Sequence, residues 1–232
     1  MKKFRFVVFF IFSLIQFVSA QSDSTITVSF VAHYNGKNVD LSDSSFVAND
    51  SNHLQIDALR FYVSNICFLK NGTVVLPEKN SFHLIDASNK NSQTLSIKNT
   101  NKINFDELSF SLGIDSTTNV SGAMGADLDP TKGMYWTWQS GYINFKLEGK
   151  SNNCPTRNHA FEFHLGGYQT PFNCLKTATL KTTNQKIIIV VFDINQFLSV
   201  VDLSTLNQIM SPSKTAVLLS EQAIKSFKII DP

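Results

Sequence analysis

The chain has 232 residues, of which 43% are hydrophobic and 20 are phenylalanine. A chain of this size can bury a large core as one domain. Its 20 basic residues nearly balance its 18 acidic residues. The chain therefore lacks the large positive net charge that attracts an anionic partner such as nucleic acid or an anionic membrane.

Residues 1–20 have the three-part layout of a secretory signal peptide. Lys2, Lys3 and Arg5 precede an apolar run over residues 7–18, and small residues follow at Ser19 and Ala20. The run is short for a membrane anchor, which is the alternative interpretation. We therefore expect cleavage near Ala20 and a soluble periplasmic or secreted protein. Without this segment, 17 basic residues face 18 acidic ones.

Apolar and polar residues alternate along seven segments, a pattern typical of strands with one buried face. The segments are Ile26–Ala32, Leu59–Leu69, Phe82–Ile85, Phe105–Leu112, Tyr135–Glu148, His159–Leu165 and Ile187–Asp193. Turn-forming pairs such as Asn35-Gly36 and Asn71-Gly72 separate them. Helical spacing occurs only near the C-terminus, over Asn195–Leu203 and Thr215–Lys228. The sequence predicts an all-β protein, an antiparallel β-sandwich with one or two short C-terminal helices, as one domain over residues 21–232.

The three cysteines differ in their surroundings. Cys67 falls on the apolar face of its strand and is expected to be a small buried hydrophobe. Cys154 and Cys174 flank the predicted strand His159–Leu165, and export would permit a disulfide. We predict a Cys154–Cys174 bond; a thiolate metal site is the alternative.

The most distinctive stretch is GMYWTWQSGY followed by KLEG, over residues 133–149, with FEFHLGG shortly after it at residues 161–167. Upstream lie LRFYVSNI at Leu59–Ile66, FHLID at Phe82–Asp86 and FSLGID at Phe110–Asp115. In this order the segments resemble the copper-binding MbnP-like domain family, and the resemblance spans nearly the whole chain after the signal peptide.

The resemblance implies an exported β-sandwich that binds copper for acquisition, handling or storage. In characterised relatives, copper is held by histidines and by a kynurenine made from a tryptophan, which a MauG-like di-haem peroxidase oxidises in methanobactin systems. By this analogy Trp136 or Trp138 is the candidate for modification. A copper-linked outer-membrane receptor is the other partner that the resemblance implies.

Strand alternation places His33, His83 and His164 on faces opposite the predicted core. The plain interpretation is three unrelated surface histidines; the other is that His164 and His33 meet beside the tryptophans, with His83 as a weaker candidate ligand. Imidazole suits copper, and the thioether of Met134 would favour Cu(I). Glu162 or Asp86 could accept a hydrogen bond from the ring nitrogen of a ligating histidine that does not bind the metal.

A second hypothesis is a carbohydrate- or protein-binding sandwich with Trp136, Trp138 and Tyr142 as an aromatic platform. Catalysis is not expected, because the sequence has no GxSxG, HExxH, P-loop or CxxC motif.

Overall fold

The computed structural model describes residues 25–48, 53–79, 81–139 and 141–230. The predicted signal peptide, residues 1–20, lies outside the described residues. Within those ranges no helix has the length and apolar character needed to cross a bilayer.

Strands dominate the described residues, with three short α-helices. The strands are β1 (Thr25–Tyr34), β2 (Lys37–Asn38), β3 (Phe46–Val47), β4 (Gln55–Lys70), β5 (Thr73–Pro77), β6 (Phe82–Asp86), β7 (Thr94–Lys98), β8 (Glu107–Leu112), β9 (Tyr135–Trp136), β10 (Gly141–Lys150), β11 (Ala160–Gly166), β12 (Lys176–Lys181), β13 (Ile187–Asp193), β14 (Gln208–Ile209) and β15 (Phe227–Ile230). The helices are α1 (Ser116–Val120), α2 (Ile194–Leu198) and α3 (Lys214–Lys225). The all-β prediction is confirmed.

The strands form two sheets. The smaller sheet has the order β15-β13-β1-β2, with β7 also paired to β1. The larger sheet has the order β12-β8-β4-β10-β11-β14, and β3, β5 and β6 pair with β4 while β9 pairs with β10. Two pairings, β1 with β13 and β11 with β14, are parallel, so the sandwich is not purely antiparallel as predicted.

Strand β4 is the centre of the larger sheet. It runs for 16 residues, and its register with β8 shifts between Ser64 and Cys67. Its first half pairs with β10 and β6, and its second half pairs with β8 and β5. A bulge of this kind lets one long strand serve two sets of neighbours.

The main core lies between the sheets and is rich in phenylalanine. Burial alternates along the whole of β1, where Val28, Phe30 and Ala32 face inward. Phe30 packs edge-on against Phe110 with ring centroids 5.3 Å apart, and Phe145 lies 5.1 Å from Phe192. Each fully buried phenylalanine contributes about 1.5–3 kcal/mol of transfer free energy, which is why period-two alternation is a strong signal.

The predicted Cys154–Cys174 disulfide is contradicted by the structure, in which both cysteines are buried and free. The Cys154 carbonyl accepts a hydrogen bond from His159 Nδ1 just before β11 begins, whereas the Cys174 N–H donates to the carbonyl of Gly167 just after β11 ends. A strand of the length of β11 spans about 20 Å, and bridged cysteines need Cα atoms within about 7 Å. The two cysteines are thus held near opposite ends of β11, and they do not pair.

Candidate functional site

The outer face of the larger sheet carries a second apolar cluster under residues 114–139, which we call the covering segment. Tyr62, Leu84, Tyr142 and Ile143 come from the sheet, and Ile114, Leu128, Met134 and Trp136 come from the covering segment. This cluster explains why apolar side chains occur on both faces of β4, β6 and β10.

Polar side chains of the sheet anchor the covering segment. The Tyr62 hydroxyl donates to the carbonyl of Asp127 at 3.0 Å, and the Tyr142 hydroxyl donates to the carbonyl of Leu128 at 3.1 Å. Burial raises the pKa of Tyr62 far above its ordinary value, so its phenol remains a donor. Asn144 Oδ1 accepts from the N–H of Ile114 at 3.1 Å. None of these anchors was predicted from the sequence.

The tryptophan segment is a hairpin and not the single strand predicted over Tyr135–Glu148. Trp136 on β9 pairs with Gly141 on β10, and the chain turns between them, with the Gln139 N–H donating to the Trp136 carbonyl at 3.4 Å. The turn breaks the alternation that placed Trp136 and Trp138 in one environment. Trp136 is 6% exposed whereas Trp138 is 65% exposed, although their ring centroids are only 5.9 Å apart.

The ring of Trp136 lies directly on β11. A Cβ atom built on Gly166 would be 2.7 Å from Cζ3 of Trp136, so a glycine is needed for this approach. His164 precedes Gly166 by two residues and therefore shares its face of β11. The structure thus places His164 on the same outer face as Trp136.

His164 is held by a carboxylate that sequence reasoning missed. Its Nε2 donates to Oε1 of Glu148 at 2.6 Å, and Lys146 Nζ lies 3.2 Å from the same oxygen. The hydrogen bond from His164, together with the charge of Lys146, lowers the pKa of Glu148 to about 2. Lys146 pairs directly with His164 in the β10–β11 register. Once β10 is known to pair with β11 in this register, Lys146 and Glu148 of the KLEG motif indicate the contact with His164.

The predicted carboxylate partners are engaged elsewhere. Glu162 accepts from Nε2 of Gln208 at 2.9 Å, and Asp86 forms an ion pair with Arg60 at 2.7 Å.

His164 is only 6% exposed and makes its side-chain hydrogen bond through Nε2. A histidine that donates one nitrogen to a carboxylate presents its other nitrogen as an acceptor, which is the usual arrangement of a metal ligand.

The structure contradicts the prediction that His33 and His164 share a pocket. His33 lies on β1 in the smaller sheet, on the face opposite its buried neighbour Ala32, whereas His164 lies on the outer face of the larger sheet. The two outer faces of a sandwich are separated by the core, whose sheets are about 10 Å apart.

His83 is also separate. Its Nε2 is 3.0 Å from Oε2 of Glu78, and it shares a face of β6 with Ile85, which belongs to the main core. The prediction that His83 faces away from the core is wrong, because Phe82 and Leu84 pack on the second cluster instead. Across the described ranges, no three His, Cys, Asp or Glu residues come together as a metal-binding group.

The proposed three-ring platform is not present either. Trp136 and Tyr142 are buried in the second cluster, and of the three rings Trp138 alone is exposed to solvent. Met134 is fully buried in the same cluster as Trp136, which makes it a neighbour of the tryptophan and not a surface ligand.

Comparison with known proteins decides the family. The MbnP family model matches residues 23–211. The chain belongs to the MbnP family. Among solved structures, MbnP from Methylosinus trichosporium is similar in fold, with a TM-score of 0.58 and 15% sequence identity over 84% of this chain and 86% of that chain. No curated protein sequence matches the chain.

Proposed function

We propose that this MbnP-family chain is an exported copper-handling protein in which His164 is the principal ligand. The observation that carries the proposal is the arrangement of His164, which is buried on the Trp136 face with Nε2 directed to Glu148. The carboxylate fixes the ring orientation and increases the basicity of the other nitrogen. Imidazole nitrogen suits copper in both oxidation states.

The remaining donors fit only in part. His33 and His83 lie in other parts of the fold, so they are not proposed as ligands of the same ion. Met134 supplies a thioether within the cluster that contains Trp136, and a soft donor favours Cu(I). Unmodified Trp136 has no lone pair to offer, because indole N–H is only a donor.

Trp136 is therefore our candidate for conversion to kynurenine, which carries an aryl amine and a carbonyl oxygen. Its ring lies on Gly166, beside His164 on the strand, whereas Trp138 is exposed. A di-haem peroxidase of the MauG type remains the proposed partner for that oxidation, and a copper-linked outer-membrane receptor remains a proposed partner for copper transfer. Binding and transfer, without catalysis by this chain, is the role we propose.

The test is competition for Cu(I) against a chromophoric chelator, with protein purified from its own host and with protein made in a heterologous cytoplasm. We expect His164→Ala to weaken copper affinity at least tenfold in the host-derived protein. His33→Ala is the matched control and should leave affinity unchanged. Unchanged affinity in folded His164→Ala would remove His164, and the proposed function with it.

Peptide mass spectrometry of the host-derived protein tests the modification separately. Conversion at Trp136 with Trp138 intact is the expected result. Conversion at Trp138 alone would contradict the assignment made from burial.

A further inference from the structure

A cleft of about 520 Å³ opens beside the exposed Trp138. The residues that line it include Trp138, Tyr168 and Phe172 together with Pro171 and Pro212. Pockets for small organic ligands have volumes of about 300–1,000 Å³, so the cleft is large enough for more than one sugar ring. We call it the Trp138 cleft.

The cleft wall formed by residues 167–174 is fixed by short-range contacts. The Cys174 N–H donates to the carbonyl of Gly167 at 2.9 Å, which closes the loop, and the Phe172 N–H donates to the carbonyl of Gln169 at 2.7 Å. Ser116 of α1 donates its hydroxyl to the carbonyl of Tyr168 at 2.8 Å. A wall built in this way loses little conformational entropy when a ligand binds.

Two glycines set the shape of the cleft. A Cβ atom on Gly141 would lie 3.2 Å from Cε1 of Tyr168, so the tyrosine ring rests on the start of β10. Gly167 has φ +128, and a Cβ there would lie 3.0 Å from Cβ of Pro212 and would collide with the Phe172 carbonyl. Gly141 therefore allows the Tyr168 ring to lie against β10, and Gly167 allows Pro212 and the Phe172 carbonyl to approach the loop backbone.

The chemistry of the lining indicates an uncharged polar ligand with apolar faces. Among the described residues, the lining has no acidic or basic side chain, whereas Gln139 and Gln169 contribute primary amides. An amide presents two donors and an acceptor, which match adjacent hydroxyl groups that both donate and accept. An exposed aromatic ring can cover the C–H face of a sugar ring, and Trp138 is 65% exposed at the cleft.

We propose that the Trp138 cleft binds a neutral carbohydrate, with one sugar ring stacked on Trp138. A proline-rich peptide is the competing ligand, because such peptides also dock in aromatic grooves. Its backbone offers mainly carbonyl acceptors, so the amide acceptors of Gln139 and Gln169 would be left unpaired. The site uses none of the copper ligands proposed above, and it can be tested on metal-free protein.

The test is affinity electrophoresis of the metal-free protein in gels that contain one soluble polysaccharide each. The neutral set is hydroxyethyl cellulose, galactomannan, xyloglucan and amylopectin, and the charged set is alginate and polygalacturonate. We expect at least one neutral polysaccharide to retard the protein, and the charged ones not to. Trp138→Ala should weaken that binding at least tenfold, whereas Val74→Ala, at another exposed apolar position on β5, should bind normally.

Three outcomes overturn the proposal. The first is that no neutral polysaccharide retards the protein. The second is that folded Trp138→Ala binds as well as the native chain, since an exposed side chain can be removed without unfolding the protein. The third is that oligoproline binds to the native chain, is lost in Trp138→Ala, and no polysaccharide is bound, which would assign the cleft to a peptide.

Discussion

Replacement of Gly166 by alanine adds a single methyl group but should still displace the ring of Trp136. The new Cβ would lie 2.7 Å from both Cζ3 of Trp136 and the carbonyl oxygen of Tyr142. The tyrosine carbonyl belongs to the backbone of β10, which pairs with β11 at this point, so the indole must move. Overpacking of this kind costs about 1–3 kcal/mol.

For a chain of this length, each kcal/mol lowers the melting temperature by about 2–4 °C, so Gly166→Ala should lower it by about 2–12 °C. Thermal unfolding followed by circular dichroism measures this change. The native fluorescence should also shift to longer wavelength, because a displaced Trp136 meets water. A Trp138→Phe background isolates the signal, since the chain has only two tryptophans.

Two other glycines serve as controls. A Cβ atom added at Gly125 would have nothing within 4 Å, so Gly125→Ala should change stability by less than about 0.5 kcal/mol. A Cβ atom at Gly149 would collide with the backbone of Gln55, so Gly149→Ala should destabilise the protein without shifting the Trp136 emission. If Gly166→Ala is as stable as the native chain and its emission is unchanged, the close approach of Trp136 to β11 is refuted.

Three further predictions concern charge, thiols and the core. The pKa of Glu148 is lowered to about 2 by its contacts with His164 and Lys146, so the stabilisation is complete above its ordinary value of 4.5 and is lost as pH falls from there towards 2. Glu148→Gln should flatten that part of the pH dependence of the unfolding free energy, and an identical profile would contradict the contact. Cys154 and Cys174 should react with a thiol reagent only after denaturation, and reducing agent should not change the melting temperature; recovery of a disulfide-linked peptide would contradict both. Phe110→Ala should cost about 3–5 kcal/mol in urea unfolding, because it opens a cavity between the sheets, and a cost below about 1 kcal/mol would contradict that position.

The sequence predicted the strands of the main core well, because burial between two sheets imposes a strict period of two. The strand predicted around Phe30 matches β1 almost to its ends, and the helix predicted over Thr215–Lys228 matches α3 to within a few residues. The parallel pairing of β1 with β13 left no such signal, because alternation reports which face is buried and not which strand lies alongside.

The positions predicted for His33 and His83 were wrong for a related reason, whereas His164 and Trp136 do lie on one face of the larger sheet. Alternation assumes one buried face, but the covering segment buries the outer face as well, where Leu84 packs. His83 was therefore placed opposite the core, although it shares a face of β6 with Ile85 of the main core. The turn after Trp136 contains neither glycine nor proline at its start, so nothing marked the end of β9. The His164–Glu148 contact depends on the register of β10 with β11, which the hydrophobic pattern alone does not specify.

The pairing of β1 with β13 also determines where the polypeptide can be cut. Residues 27–33 of β1 pair in parallel with residues 187–193 of β13, and β13 pairs on its other side with β15 at residues 227–230. An expression fragment that stopped at residue 211, where the family match ends, would lack α3 and β15. It would leave the hydrogen-bonding edge of β13 open beside an uncovered Phe192, which favours self-association. Working boundaries for this protein therefore extend past the matched segment to the last strand.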